Sequence, residues 1–358
     1  MSEQLALGVD PPGEVEQLRA WLGAEWPAIV EARANADDTL ARIQNALENL
    51  LPPGTSFVVF GSLARREFTQ GSDVDWTLLV NAAADPGHAD LVGEIKRRLG
   101  KLRLNDPNPG GSFGRLTFSH DLIHKIGGDD DTNRNTTQRI LLLLESTALY
   151  HPDVHADVVK GVLRRYIEED LRGPGDSPYR VPRFLLNDIV RYWRTITVDF
   201  AHKRREREGT EWALRTAKLR LSRKLMYAAG LLSCFSCETE LVSQEGLDRG
   251  TATDRVVTHL AKLVRKAPLD IMAGAVLTYF GKFSGIGDLF AAYDSFLALL
   301  DDESSREHLE NLRPEHATGD TIYQAVREMG QQFQGALTEM FFDSETPLPE
   351  LTKRYGVF

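Results

Sequence analysis

The sequence is poor in cysteine, in long apolar runs and in positive charge, and each shortage excludes a class of protein. Its 358 residues include only two cysteines, Cys234 and Cys237. Their CxxC spacing serves a zinc ribbon only with a second ligand pair, and a thioredoxin-like site only in a βαβ setting. Neither accompanies them, and they close a leucine-rich helical stretch, so they read as reduced structural thiols. No stretch approaches the roughly 20 uncharged apolar residues of a membrane span. Met1-Ser2-Glu3-Gln4 is not a basic segment followed by an apolar one, and the expectation is a cytoplasmic protein with no membrane partner. The 42 Lys and Arg fall short of the 52 Asp and Glu, for a formal charge of −10. That deficit excludes a protein that coats nucleic acid through its overall field, and it leaves room for a local basic site.

What is present is ample core material, 42 % hydrophobic residues, enough for two domains or one large two-lobed one. Residues 13–50 carry apolar positions at helical spacing and stop at Pro52-Pro53-Gly54, which predicts one or two leading helices. Phe57-Val58-Val59-Phe60 then forms a short unbroken apolar run ending at glycine, the pattern of a strand buried on both faces. A short helix from Leu63 to Phe68 and a turn at Gln70-Gly71-Ser72 lead to a second strand, Asp73 to Val80. A helix near 88–102, a Gly/Pro/Asn-rich loop and a third strand from Arg115 follow. The first part is therefore α/β. From Asn133 onward the periodicity is helical, with segments near 134–149, 153–171, 181–207, 211–233, 252–266, 268–281, 284–301 and 318–342. The expected division is leading helices over 1–50, an α/β lobe over 51–150 and an all-helical lobe over 151–358.

Two features of the α/β part carry chemistry. Side chains alternate along a strand, so Asp73 and Asp75 share one face while Val74, Trp76 and Leu78 face the core. Two acids side by side on an otherwise buried strand are costly unless a cation compensates them, and their hard oxygens suit magnesium, which also takes substrate phosphates. Before them, Gly61 breaks the first strand where a missing Cβ lets a phosphate approach the backbone, and Ser62 adds a hydroxyl and an N–H at a helix start. Arg65 and Arg66 follow one turn on, where a cation helps hold the same charge.

The string Phe60-Gly61-Ser62, a ten-residue spacer and Asp73-Val74-Asp75-Trp76 resembles the signature of the polymerase-β-type nucleotidyltransferase superfamily. The longer string from Gly61 through Glu67, with Gly71-Ser72-Asp73-Val74-Asp75, is most similar to the branch that contains the uridylyltransferase domain of the PII-modifying enzyme. The resemblance covers residues 55–80. It implies a small mixed sheet with packed helices, two magnesium ions held by Asp73 and Asp75, a nucleoside triphosphate on Gly61 and Ser62, and in-line attack on an α-phosphate with release of pyrophosphate. It also implies a third carboxylate on a neighbouring strand. If the strand from Arg115 runs on through His120, Asp121 shares a face with Thr117 and Ser119 and becomes the third metal ligand. The competitors are Asp129, Asp130 and Asp131, with Asp131 the alternative choice, although acids there are also explained by capping a helix.

Between Arg183 and Lys224 the balance turns strongly positive. On a helical wheel, Leu214, Ala217, Leu221, Leu225, Ala228 and Leu232 form a stripe with Lys218 at its edge and Arg223 opposite; Lys203 borders the stripe of the preceding helix. Lys203 and Lys218 are therefore the expected triphosphate clamp, against the plainer reading of lysines snorkelling on amphipathic helices. The expected function is transfer of a nucleoside monophosphate to an acceptor hydroxyl, on a protein or small molecule in preference to long RNA. A non-catalytic nucleotide-binding module of a toxin–antitoxin or phage-defence pair and a cyclic-oligonucleotide synthase are the alternatives.

Overall fold

The computed structural model describes residues 13–107, 113–170, 179–206, 211–241, 248–279 and 281–356. Helices α1 (Glu14–Leu22) and α2 (Pro27–Ala46) lead into β1 (Thr55–Phe60), the single turn α3 (Gly61–Ala64), β2 (Trp76–Val80), α4 (Gly87–Gly100), β3 (Arg115–Phe118), α5 (Ser119–His124), α6 (Asn133–Leu144) and β4 (Ser146–Tyr150). Helices follow to the end: α7 (Pro152–Asp170), α8 (Arg183–Glu206), α9 (Trp212–Arg220), α10 (Ser222–Thr239), α11 (Arg249–Leu263), α12 (Pro268–Thr278), α13 (Ile286–Asp301), α14 (Glu303–Asn311), α15 (Thr321–Thr338) and α16 (Leu348–Leu351). An α/β part with a small mixed sheet thus precedes a helical region. No described helix is long and apolar enough to cross a membrane.

The sheet has the order β3-β2-β1-β4. β1 pairs antiparallel with both β2 and β4, and β2 pairs parallel with β3. Every residue of β1 and β2 is buried, because both sheet faces are covered. On one face Phe57, Val59, Trp76 and Leu78 pack with Ile43 and Leu47, near the end of α2, and Ile95 and Leu99 of α4. On the other, Val58, Phe60 and Leu79 join α6, α7 and the helical region in one continuous cluster. The leading helices dock on that region too: Trp26 stacks on Phe290 at 4.6 Å, and Arg33 pairs with Asp270 at 3.0 Å.

Four local readings of the sequence change. The helix expected from Leu63 to Phe68 is the one turn Gly61–Ala64, ended by Arg66 in left-handed backbone at φ 57°. The third strand stops at Phe118 and turns into α5. Segment 211–233 is two helices, broken at Leu221 (φ −115°, ψ −80°). Residues 146–150, expected at a helix end, are the edge strand β4, because Glu145 leaves helical backbone (φ −149°, ψ 49°) after α6. Cys234 and Cys237 are fully buried thiols, and burial pushes both well above the usual thiol range.

A buried charge cluster anchors α6 against α7 and α8. Arg139, fully buried, donates to both Asp131 oxygens at 3.2 and 2.8 Å, to Asp188 at 3.1 Å and to the Tyr166 hydroxyl at 2.7 Å. Removing one partner of such a group strands the rest without compensation. Arg139→Met is expected to destabilise the fold by about 3–5 kcal/mol, read as a lowered urea midpoint with the slope unchanged.

Candidate active site

The site begins where β1 ends. Phe60 is extended, and Gly61 turns at φ 67°, a conformation that favours glycine, to start the turn α3. A Cβ at Gly61 meets the Asp75 Oδ2 at 3.2 Å. The backbone therefore passes close to the second acid because no side chain intervenes. Ser62 is half-buried. The Arg65 amide donates to the Gly61 carbonyl at 3.0 Å, and the Glu67 amide to the Ser62 carbonyl at 2.8 Å, so the turn is held by its own backbone.

Asp73 and Asp75 lie just before the β2 ladder. The Phe60 amide donates to the Asp75 carbonyl at 2.8 Å, and the Val74 amide to the Asn105 carbonyl at 3.0 Å. These bonds keep the segment extended, so the alternation holds: Val74 and Trp76 are buried, Asp75 is half-buried and Asp73 is exposed. The preceding loop is strapped by Ser72, whose amide donates to the Thr69 carbonyl at 2.9 Å. It is also latched to the helical region: the Gln70 amide donates to Asp301 at 3.0 Å, and a Cβ on Gly71 lies only 2.5 Å from the Arg306 guanidinium.

The electrostatics follow from this crowding. Burial, then Asp73 and Glu145, push Asp75 up to about 7, against the pull of Arg223 and Arg65. Glu145, between α6 and β4, accepts from Arg223 Nη1 at 2.9 and 3.0 Å and from Arg65. Although burial opposes ionisation, these two cations hold it below the usual range. Arg65 also donates to Glu67 at 2.8 Å, and Tyr293 lies against Glu67. Lys218, at the end of α9, is near Asp73. Burial and then Arg306 push it down to about 8, while Asp73 pulls it up.

Of the residues expected at the site, Gly61, Ser62, Asp73, Asp75 and Lys218 are brought together. Asp121 is not among them. It sits in the first turn of α5, half-buried and paired with Lys125 at 2.7 Å. Its placement required the third strand to continue past Phe118. Because β2 and β3 run parallel with Val80 opposite Phe118, α5 starts at the far end of the sheet, roughly 16 Å from Asp75 at about 3.3 Å per residue. Asp131 is locked to Arg139 at the opposite end of α6 from Glu145, roughly 18 Å away along the helix. Arg65 is turned into the Glu67 and Glu145 pair, so its charge acts from beneath the acids. The Lys203 side chain lies outside the described residues.

Arg223, Arg306 and Glu145 were not anticipated. Arg223 was placed opposite the apolar stripe by treating 211–233 as one helix; the break at Leu221 resets the wheel and turns it inward. Arg306 and Glu145 each reach the site only through the tertiary fold. On β3, the Thr117 hydroxyl lies 2.9 Å from that of Thr77. Among the described residues no three His, Cys, Asp or Glu side chains converge to hold a metal.

Residues 40–106 match the family model described as the nucleotidyltransferase domain. The chain therefore contains a nucleotidyltransferase domain of the polymerase-β type and is a transferase by class. The matched stretch holds the Gly61 turn, both acids and Asn105. No curated protein matches the chain. The likeness to the uridylyltransferase branch rests on its motif alone.

Gly61→Ala tests the close approach at the turn. It is expected to cost about 1–2 kcal/mol from the left-handed backbone alone and to weaken nucleoside triphosphate binding at least tenfold. Unfolding and equilibrium binding of an unhydrolysable triphosphate analogue measure the two effects separately.

Proposed function

We propose that the chain is a magnesium-dependent enzyme that moves a nucleoside monophosphate from a triphosphate to an acceptor hydroxyl, releasing pyrophosphate. The observation that carries this reading is the convergence of the two acids, the Gly61-Ser62 turn and Lys218 of the helical region on one place. The acceptor is a protein or small molecule, in keeping with the charge of −10.

The residues present fit a divalent cation. Asp73 and Asp75 are adjacent hard-oxygen donors, and Asp75 is pushed up by burial and then by neighbouring negative charge, both of which a cation compensates. Magnesium commonly binds one or two carboxylates and fills its shell with water and substrate phosphates. When bound it neutralises phosphate charge and stabilises the attacking and leaving oxygens. The chain's own groups do the rest. The Ser62 hydroxyl and the Gly61 turn receive the terminal phosphates, and Lys218 and Arg223 lie on the side from which the helical region closes on them. Arg65 and Glu145 fix Arg223 so that its cation is in place before substrate arrives, which lowers the cost of ordering it.

The reading is tested by incubating the protein with each labelled triphosphate, magnesium and a cell lysate, then following the label. Transfer to a protein band or small molecule is expected, with pyrophosphate formed in equal amount. Asp73→Asn and Asp75→Asn should each lower kcat/KM by about three orders of magnitude. If no triphosphate yields pyrophosphate, and the double variant binds nucleotide as the parent does, the chain is a nucleotide-binding module.

A pH profile isolates Lys218. With its pKa lowered to about 8, the amine is cationic below that pH and neutral above it. The kcat/KM of the free enzyme should therefore fall as pH rises through about 8. In Lys218→Arg, where the cation persists, that fall should vanish.

A further inference from the structure

Behind the sheet, away from the two acids, a groove of about 540 Å³ opens between α7 and α11. Lys160 of α7, Lys262 of α11 and Arg265 just beyond it line its walls with Thr258, and His155 lies at its back. The three cations are exposed. Among the described residues none of them makes a hydrogen bond or ion pair; Glu240 lies in electrostatic reach of Lys266 and Lys262. Three uncommitted cations on one concavity, in a chain of charge −10, concentrate positive potential where the rest of the surface repels anions.

The back wall connects to the candidate active site. His155 is 7 % exposed, and its Nε2 lies 2.8 Å from Ser146 Oγ. Ser146 opens β4, pairs with Phe60 immediately before Gly61, and follows Glu145, the acid clasped by Arg65 and Arg223. Arg265 lies in electrostatic reach of His155, so a ligand that draws Arg265 inward acts on a side chain that joins the groove to the strand beside the Gly61 turn.

We propose that this groove is a second binding site, for a small anion carrying more than one phosphate group, whose occupancy is transmitted through His155 and Ser146 to β4 and the Gly61 turn. Its volume is that of a small-molecule site. Lys and Arg together suit phosphate oxygens. Apart from His155 the walls hold no aromatic ring on which a base could stack, so phosphate, not base, is what the groove reads.

The test needs no catalytic activity and so stands or falls apart from the nucleotidyl-transfer reading. Inorganic pyrophosphate is titrated calorimetrically, without magnesium, into the full chain, into Lys218→Ala, and into Lys160→Ala/Lys262→Ala/Arg265→Ala, whose melting temperature is checked first. Binding should persist in Lys218→Ala and weaken at least about tenfold in the triple variant. Amide hydrogen exchange should then show pyrophosphate protecting β4 and the Gly61 turn as well as α7 and α11, with protection confined to the two helices in His155→Leu. Unaltered binding by the triple variant, no binding to the parent, or no protection of β4 in the parent each overturns the proposal. Displacement of pyrophosphate by a short single-stranded RNA at lower concentration overturns the assignment to a small ligand.

Discussion

Glu145 lies between two guanidinium groups, and the geometry of the candidate active site depends on that buried clasp. Arg65 belongs to the turn that follows β1, Glu145 to the junction of α6 and β4, and Arg223 to the first turn of α10. One carboxylate therefore ties the phosphate turn, the edge strand and the helical region together. A buried ion pair is poor evidence for stability, since well-packed apolar residues do as well, but its directionality fixes geometry in a way that apolar contact does not. Loss of either arginine leaves Glu145 buried with half its compensation, beside an acid already short of positive charge.

That shortage is local and follows from how the charges are committed. Arg65 serves Glu67 and Glu145, Arg223 serves Glu145, and Arg306 pairs with Glu310 at 3.1 Å. Asp73 and Asp75 are left with Lys218 as the cation nearest to uncommitted. Burial and then the like charges of Asp73 and Glu145 raise Asp75 to about 7, and burial and then Arg306 lower Lys218 to about 8. Both groups are less than fully charged near neutrality. A site in this condition gains from a ligand that brings cation and anion together, which is what a metal-bound triphosphate is.

The phosphate-and-metal end was legible because its signals are local. A glycine after a buried strand, a serine behind it and two acids at strand spacing all act within about fifteen residues, and the fold keeps them together through β1–β2 pairing. The alternating α/β part and the helical remainder were legible for the same reason, as periodicity. What failed was register and termination. Phe118 ends β3 because the chain turns into α5 there, and no residue in Ser119-His120-Asp121 forbids an extended strand, so Asp121 appeared on the wrong element. Leu142 to Tyr150 reads as a continuing helix until Glu145 is seen bound to two arginines from elsewhere. Arg223 was misplaced by assuming one uninterrupted helix across Leu221, a break that has neither Gly nor Pro to announce it.

The matched domain stops at residue 106, whereas Glu145, Lys218, Arg223 and Arg306 all lie beyond it. The reaction end and the completing end of the site are thus encoded in different parts of the chain and meet only in the folded protein. Two acids and a glycine turn recur wherever this chemistry is needed, because phosphate and metal impose the same demand each time. The groups that surround them are held by the tertiary fold, through ion pairs such as those of Glu145 with Arg65 and Arg223. Lys218, Arg223 and Arg306 approach the two acids from the helical region, in residues whose spacing in sequence carries no motif.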